Sequence, residues 1–139
     1  MDFGYFGFNV GPLNNADSIE RVVVAAEQLG YESIWTGEHI ILMDPHEPPS
    51  PVPPESNFVD SIASLAFAAA KTERIKIGSS LLVLPPPNPL HVAEEFSNLD
   101  HLSKGRFELG VGRSGGAGGY RGFNMDYSES QLDLRSVLR

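Results

Sequence analysis

Two adjacent residues, Glu38 and His39, form the strongest candidate for proton-transfer chemistry in this sequence. They directly follow a short apolar run, residues 33–36, that has the composition of a buried strand. A histidine at the end of a strand can donate or accept a proton near neutral pH, and a neighbouring acid can fix its tautomer. Spacing alone leaves a second interpretation open, in which the pair belongs to a solvated loop without a chemical role.

A second candidate lies inside a longer apolar run, where Gly78 is followed by Ser79, Ser80 and Leu81. Two small hydroxylated residues after a glycine indicate a β-bulge, or a strand backbone that closely approaches a ligand. The competing explanation is that small side chains only fill a tight place in the interior. The residues themselves favour neither explanation.

The third candidate is the glycine-rich segment 112–119, which contains Arg113 and Ser114. Glycine lets backbone N–H groups approach an anion, and a guanidinium group is well shaped for phosphate. The segment lacks the sequence context of a P-loop or a dinucleotide-binding fingerprint. On composition alone, a flexible surface connection is the slightly favoured explanation.

Composition excludes several other classes of function. The chain of 139 residues contains no cysteine, and its four histidines show no ligand spacing, so we expect no metal site. The formal net charge of −8 would repel nucleic acid. The sequence also has no apolar window of the roughly 18 residues that a membrane span needs, and no signal-like N-terminus. We therefore expect a soluble, cytoplasmic protein that binds neither nucleic acid nor membrane.

The elements that must position these residues alternate between strands and helices. We predict strands at residues 3–10, 33–36, 74–84 and 106–111. Helices are predicted between Asp17 and Gly30, at residues 58–72 and 90–102, and from residue 128 to 139. Such alternation produces parallel strands joined by right-handed crossovers. The sequence thus predicts an α/β fold of about four βα units, either an open sheet or half of an eight-stranded barrel.

Some finer features also follow from the pattern. Asp17 is the expected N-cap of the first helix, with Glu20 completing a capping box, and Gly30 is expected to end that helix. Leu102 is expected to face inward from the third helix. Six prolines in residues 37–57 predict a long loop without helix or strand, at the end of the strands where parallel α/β folds carry active sites.

Several stretches, taken together and in order, resemble the luciferase-like monooxygenase superfamily. They are residues 30–39, 71–78, 83–85, 88–89 and 93–95, and the most specific run, Leu99-Asp100-His101-Leu102-Ser103-Lys104-Gly105-Arg106-Phe107-Glu108-Leu109-Gly110-Val111-Gly112-Arg113. Their order and spacing match that superfamily over essentially the whole chain. The resemblance implies a TIM (β/α)₈ barrel, of which residues 1–139 would form the N-terminal half as a partial domain.

The resemblance also implies a function. Reduced FMN or the deazaflavin F420 would bind at the C-terminal face of the barrel, for hydride transfer or oxygen activation on a small organic substrate. His39 would be the catalytic histidine, with Glu38 beside it. Ser79, Ser80 and Leu81 would contact the cofactor, and Ser80–Leu81 would be a non-proline cis peptide in a bulge that backs the flavin ring.

Arg113, with Ser114 next to it, would meet the cofactor phosphate. The choice of cofactor stays open, because residues 50–53 and 63–84 resemble F420-type members, whereas residues 93–95 and 120–130 resemble FMN-type members. Ile40 departs from the pattern of many FMN-type members, which carry a second histidine at that position.

Two alternatives remain. The chain could be a truncated, non-catalytic half-barrel that binds flavin weakly or serves as a structural partner. A small flavodoxin-like binder is less favoured, because the glycine-rich segment follows the fourth strand rather than the first. A half-barrel would expose two strand edges and its inner face, so we expect a fragment of a longer chain or a homo-oligomer.

Overall fold

The computed structural model describes residues 1–48, 50–83, 88–112 and 117–129. In these ranges the chain forms four strands, β1 (Gly4–Phe6), β2 (Ser33–Thr36), β3 (Lys76–Val83) and β4 (Phe107–Gly112). The α-helices are α1 (Ala16–Gln28), α2 (Ser61–Lys71), α3 (Pro89–Ser103) and the short α4 (Ala117–Gly122). Two 3₁₀ turns lie at Gly11–Leu13 and Tyr127–Glu129.

The strands form one parallel sheet in the order β1-β2-β3-β4, which confirms the predicted α/β fold. Neighbouring residues in the register form rows across the sheet, and one row packs in the hydrophobic core: Tyr5, Ile34, Ile77 and Phe107. The following row lies on the opposite face, because alternate strand residues point to opposite sides. Its member Phe6 is 61% exposed, so this second face is open in the part of the chain that the structure describes.

The first strand is shorter and more exposed than predicted. β1 has three residues, and Gly7 ends it with φ of +84°, a conformation that side-chain-bearing residues rarely adopt. The buried residues of this region, Phe8 and Asn9, follow the strand rather than belonging to it. The aromatic side chain of Phe6 is exposed because it lies on the open face of the sheet.

The prediction for the start of α1 was wrong by two residues. The 3₁₀ turn at Gly11–Leu13 leaves Asn15 extended, and its side-chain Oδ1 accepts a hydrogen bond from Ser18 N at 3.0 Å. Asn15 is therefore the N-cap instead of Asp17. Glu20 forms an ion pair with Lys71 at 2.9 Å. The end of the helix is confirmed, since Gly30 has φ of +80°.

Two burial predictions also need correction. Leu102 is exposed, because the inward row of α3 runs through Val92, Phe96 and Leu99 and ends at the fully buried Ser103. β3 is not buried along its whole length. Ser80 and Leu81 are exposed, although Ile77 and Leu82 on either side are buried.

The proline-rich loop has the predicted structure, whereas the predicted C-terminal helix lies mostly outside the described residues. No helix or strand lies within residues 38–48 and 50–57, as predicted for the proline-rich loop. The predicted helix at 128–139 lies outside the described residues from position 130 onward, and positions 127–129 form a 3₁₀ turn.

Helix α4 was missed, because three of its six residues are glycine, a poor helix former. None of the helices described is long and apolar enough to cross a membrane.

Glu27 stabilises the connection between α2 and β3. Its Oε1 accepts hydrogen bonds from three consecutive backbone amides, those of Glu73, Arg74 and Ile75, at 2.9, 2.6 and 2.9 Å. Partial burial alone would raise the pKa of this carboxyl, but the three amides and the Arg74 charge outweigh it, and the pKa is lowered. This acid lies at the N-terminal end of the sheet, away from the candidate site.

Arg106 also binds the connection between α2 and β3. Its guanidinium group donates to the carbonyl oxygens of Ala69, Thr72, Ile75 and Ser103 and to the Thr72 hydroxyl, at 2.7–3.1 Å. Five donors on one planar group thereby join α2, α3 and the start of β3. The N-terminal end of the sheet is thus held by charged side chains that bond to backbone.

We predict that Glu27→Ala lowers the free energy of unfolding by about 2 kcal/mol, because three backbone amides lose a charged acceptor. The matched control is Glu20→Ala on the same helix, which removes only an exposed ion pair and should cost less than about 1 kcal/mol. Urea unfolding measures both. Because folding lowers the pKa of Glu27, its contribution is present at neutral pH and is lost as the pH falls below the ordinary value of 4.5. Equal losses in the two variants would contradict this role.

Candidate active site

Asn9 positions the backbone at the C-terminal ends of the strands. This fully buried side chain donates from Nδ2 to the carbonyl oxygens of Gly37 at 2.9 Å and Val59 at 2.8 Å. Its Oδ1 accepts from Gly37 N at 3.1 Å. The segments after β1, after β2 and before α2 are thereby joined directly ahead of Glu38. Sequence reasoning missed Asn9 because it lay inside a predicted strand.

Glu38 links the end of β2 to the end of β3. Its Oε2 accepts a hydrogen bond from Val83 N at 2.6 Å, and Val83 is the last residue of β3. Burial raises the pKa of this carboxyl, the bond from Val83 opposes the increase, and the negative charge of Asp60 adds to it, for a resulting pKa of about 6. Glu38 is therefore a carboxyl group that can change protonation close to neutral pH.

His39 is half-buried beside Glu38. Its ring packs against Phe58, with centroids 5.1 Å apart and planes tilted by 55°. Glu38 and His39 line the same two pockets. We name the first the apolar pocket, which is lined by Glu38, His39, Ile40, Ile41, Val83, Gly119, Tyr120 and Phe123. The second, the acidic pocket, is lined by Gly37, Glu38, His39, Ile40, Phe58, Val59, Asp60 and Ser61.

The predicted bulge in β3 is present. The pairing of β3 with β4 shifts register between Ser79 and Leu82. The buried Ser79 hydroxyl donates to Gly110 O at 3.0 Å and accepts from Gly110 N at 3.1 Å. Both hydrogen-bonding roles of Ser79 are therefore used by β4, whereas Ser80 and Leu81 remain exposed.

The prediction of a cis bond at Ser80–Leu81 was wrong. Among the residues described, the cis peptide bond is Asp44–Pro45. The register shift already accommodates the bulge with the ordinary trans bond. A cis bond without proline costs about 3–4 kcal/mol, and this bulge does not need it.

Two predicted site residues, Arg113 and Ser114, lie outside the described part of the chain. The structure thus brings Glu38 and His39 together at two pockets and connects Glu38 to the strand that carries Ser79, Ser80 and Leu81. In the ranges described, no group of three or more histidines or acids is arranged for a metal ion.

Residues 40–47 form a cap that packs on α4. A Cβ atom added at Gly118 would lie 2.7 Å from Met43 Cγ, and one added at Gly122 would lie 2.3 Å from Ile41 Cδ1. Arg121 forms an ion pair with Glu47 at 2.7 Å. Gly118 and Gly122 therefore make room for the cap, which forms part of the lining of the apolar pocket through Ile40 and Ile41. The sequence pattern placed Gly118 in a glycine-rich surface connection and indicated neither of these contacts.

Comparison with known proteins identifies the family. The profile for luciferase-like monooxygenases matches residues 1–137. The chain is 38% identical over 121 residues to 4-hydroxyprotoasukamycin monooxygenase of Streptomyces nodosus subsp. asukaensis, covering 81% of this chain and 29% of the relative. The chain therefore belongs to the luciferase-like monooxygenase family, whose members are flavin- or F420-dependent oxidoreductases.

Solved structures show the same fold. The oxygenating component of 3,6-diketocamphane monooxygenase from Pseudomonas putida, in complex with FMN, has a TM-score of 0.79 at 20% identity, covering 99% of this chain and 37% of that one. A coenzyme F420-dependent tetrahydromethanopterin reductase from Methanopyrus kandleri has a TM-score of 0.68 at 20% identity, covering 98% and 38%. The four βα units are thus part of a TIM barrel. The chain spans about three tenths to two fifths of the length of these proteins.

The contact between Gly110 and the bulge yields a stability prediction. A Cβ at Gly110 would lie 2.2 Å from the carbonyl oxygen of Ser79, which is backbone and cannot rotate away. Gly110→Ala should therefore cost about 2–3 kcal/mol in urea unfolding. Gly119→Ala is the control, because no atom lies within 4 Å of its added Cβ. A similar stability for both variants would mean that β4 does not need this close approach.

The raised pKa of Glu38 yields a pH prediction. A carboxyl whose pKa is higher in the folded state contributes stability below its ordinary pKa of 4.5, and this contribution is lost as the pH rises through about 6. Between pH 4.5 and 6.5, the wild type should lose about 1–2 kcal/mol relative to Glu38→Gln, which cannot ionise.

Urea unfolding at a series of pH values measures this difference. Glu55→Gln, which changes an exposed acid of the same loop, is the control. A constant difference between wild type and Glu38→Gln across this range would show that burial does not disfavour the Glu38 charge.

Proposed function

We propose that residues 1–139 form an N-terminal half-barrel domain carrying the proton-handling side of the active site of a luciferase-like oxidoreductase. The enzyme would use reduced FMN or F420 for hydride transfer or oxygen activation on a small organic substrate. The observation that carries this proposal is the half-buried Glu38 carboxyl, which accepts a hydrogen bond from Val83 N and lies beside His39 at the C-terminal ends of β2 and β3. Its raised pKa of about 6 agrees with this role.

The exposed surface of this chain fits a flat, partly apolar cofactor. The open face of the sheet presents Phe6, and the bulge presents Leu81, at the side of the sheet that no described helix covers. A reduced flavin or deazaflavin, when bound, supplies the hydride or the electrons for oxygen activation. The phosphate contact is assigned by resemblance to Arg113 and Ser114. The names of the two solved structures support both cofactors, one being bound to FMN and the other F420-dependent.

The roles of the residues follow from their surroundings. His39 would donate or hold a proton at its ring, because the two ring nitrogens can donate and accept hydrogen bonds and this ring borders both pockets. Glu38 would keep the end of β3 in place through Val83 N and could take part in the same proton transfer. Ser80 and Leu81 would form the surface behind the cofactor ring, and Ser79 would hold the bulge against β4.

A second candidate function is a structural or association partner without catalysis. The open sheet face with its exposed Phe6 favours this alternative. Either function is compatible with a chain that assembles as a homo-oligomer or belongs to a longer protein.

Cofactor binding distinguishes the two. We expect reduced FMN or F420 to stabilise the protein by about 1.4 kcal/mol at a tenfold excess over Kd, measured anaerobically by thermal unfolding. His39→Ala should weaken this effect, because the ring borders the pockets. His101→Ala, on the exposed side of α3, is the control and should leave it unchanged. If neither reduced FMN nor F420 stabilises the protein at micromolar concentration, the enzymatic proposal for this chain is wrong.

A further inference from the structure

Two segments of the chain line the acidic pocket. The first, which we name the β2 segment, is residues 37–39 directly after β2, and the second, the α2 segment, is residues 58–60 directly before α2. Each segment brings one carboxyl group, that of Glu38 or that of Asp60, and the Asp60 charge contributes to the raised pKa of Glu38. The separation of the two segments therefore affects the electrostatics of the candidate site.

The side chain of Asn9 bonds to both segments. In the β2 segment it accepts from Gly37 N at 3.1 Å and donates to Gly37 O at 2.9 Å. In the α2 segment it donates to Val59 O at 2.8 Å. Gly37 directly precedes Glu38, and Val59 directly precedes Asp60. One fully buried amide thereby fixes the backbone next to both carboxyl groups.

The backbone at Asn9 also holds the α2 segment. Asn9 O accepts a hydrogen bond from Val59 N at 3.0 Å, and the next residue, Val10, forms an antiparallel bridge with Phe58. Phe58 in turn packs its ring against His39, with centroids 5.1 Å apart. The contacts of Asn9 and its neighbour therefore extend through the α2 segment to the histidine of the candidate site.

The three side-chain bonds of Asn9 require an amide. An asparagine side chain carries two N–H donors and one oxygen acceptor, and all three roles are used here. A carboxylate of the same shape could not donate to the two carbonyl oxygens. An apolar side chain would leave the N–H of Gly37 and two carbonyl oxygens without this partner, which is unfavourable for buried polar groups.

A second link between β2 and α2 does not involve Asn9. The buried hydroxyl groups of Thr36, at the end of β2, and Ser61, at the start of α2, bond to each other. This bond joins the strand to the helix and includes no atom of either segment. Removal of the Asn9 side chain should therefore leave α2 attached to the sheet while the two segments lose their common partner.

We propose that Asn9 is a positioning residue of the candidate site, which keeps the β2 segment and the α2 segment at one separation and thereby holds Glu38 and His39 in place. It acts through the backbone of the two segments, because its own side chain is fully buried. The proposal rests on the proposed function for the chemical role of Glu38 and His39. The positioning itself can be measured without any cofactor.

A change in this separation should change the protonation of Glu38. When the segments move apart, water reaches the carboxylate more easily and the Asp60 charge acts on it more weakly. The pKa of Glu38 should then fall towards its ordinary value of 4.5. The described side chains with titratable or charged groups at the two pockets and on the cap beside them are those of Glu38, His39, Asp60, Tyr120, Asp44, His46, Glu47 and Arg121.

The test is a pH titration of the Glu38 carboxyl carbon by NMR of protein labelled with ¹³C-glutamate, with the signal assigned from its absence in Glu38→Gln. In Asn9→Ala the midpoint should fall by roughly half a pH unit or more, because the carboxylate gains water and is repelled less by Asp60. The nuclear Overhauser effect (NOE) between the rings of His39 and Phe58 should weaken in the same variant.

The matched control is Thr72→Val, which removes a buried hydroxyl group at the opposite end of the sheet. That hydroxyl donates to Ala68 O at 2.7 Å and accepts from Arg106 Nη1 at 2.9 Å. The variant should also unfold at lower urea concentration than the wild type, because it loses buried hydrogen bonds. Its Glu38 midpoint and its ring NOE should equal those of the wild type, since a general loss of stability does not move the two segments apart.

Asp60→Asn tests the link between the two segments in a variant that is expected to fold. Asparagine can keep the N-cap bond that Asp60 Oδ1 accepts from Ala63 N at 2.8 Å, but it carries no charge. The Glu38 midpoint should fall by roughly half a pH unit, because a nearby like charge is removed, while the ring NOE remains. Asp17→Asn, which removes an exposed charge in the first turn of α1, should leave the midpoint unchanged.

Three outcomes would overturn the proposal. The first is an unchanged midpoint in folded Asn9→Ala, and the second is an equal shift in Asn9→Ala and Thr72→Val. The third is an unchanged midpoint in Asp60→Asn, which would overturn it whether or not Asn9→Ala folds. If the midpoints shift as expected but no cofactor stabilises the protein, the proposed function is wrong and the positioning role of Asn9 stands.

Discussion

A carboxylate that is withdrawn from water needs hydrogen-bond donors from the protein, and Glu38 finds one in the backbone amide at the end of the neighbouring strand. This single bond joins the C-terminal ends of β2 and β3. It also places His39, the next residue, between the two pockets. The raised pKa of Glu38 is the electrostatic consequence of the same burial. The position of the candidate site therefore depends on this contact, whereas its protonation depends on the burial of Glu38, which the contact partly offsets.

The rest of the fold supports this contact from two ends. At the C-terminal end of the sheet, Asn9 holds the backbone before Glu38, and Ser79 holds the bulge against Gly110. At the N-terminal end, Glu27 and Arg106 bond to backbone groups of the α2–β3 connection, which sets where β3 begins. A strand held at its start and at its bulge presents its last residue, Val83, to Glu38 in a defined position. This arrangement is typical of parallel α/β folds, in which the N-terminal ends of the strands contribute stability and the C-terminal ends carry the active site.

The sequence pattern predicted those features of the structure that depend on residues close together in the chain. The strand at residues 33–36 and the glycine that ends α1 were predicted from residue types and spacing, and both are present. A bulge near Ser79 was one of two explanations that the residues left open, and the register of β3 with β4 shifts there. The adjacency of Glu38 and His39 was visible in the sequence. The hydrogen-bond partner of Glu38, Val83, is 45 positions away, and no sequence pattern indicates this contact. The bonds of Asn9 span 28 and 50 positions and were missed for the same reason.

The structural roles of the glycines were the hardest to predict from the sequence. Gly118 and Gly122 make room for the cap, and Gly110 allows a close approach of two strands, yet composition indicated a flexible connection for Gly118 and no packing role for Gly122. Whether a glycine serves flexibility or close packing depends on what lies opposite it, which only the tertiary structure shows.

The most direct test of this account is the pH titration of the Val83 amide signal in ¹H–¹⁵N NMR spectra, recorded from pH 4 to 8. An amide that donates to a buried carboxylate should move downfield as that carboxylate ionises. We expect a single large change at Val83 with a midpoint near pH 6, which is absent in Glu38→Gln. A Val83 signal that does not respond to pH, or that responds equally in Glu38→Gln, would contradict it.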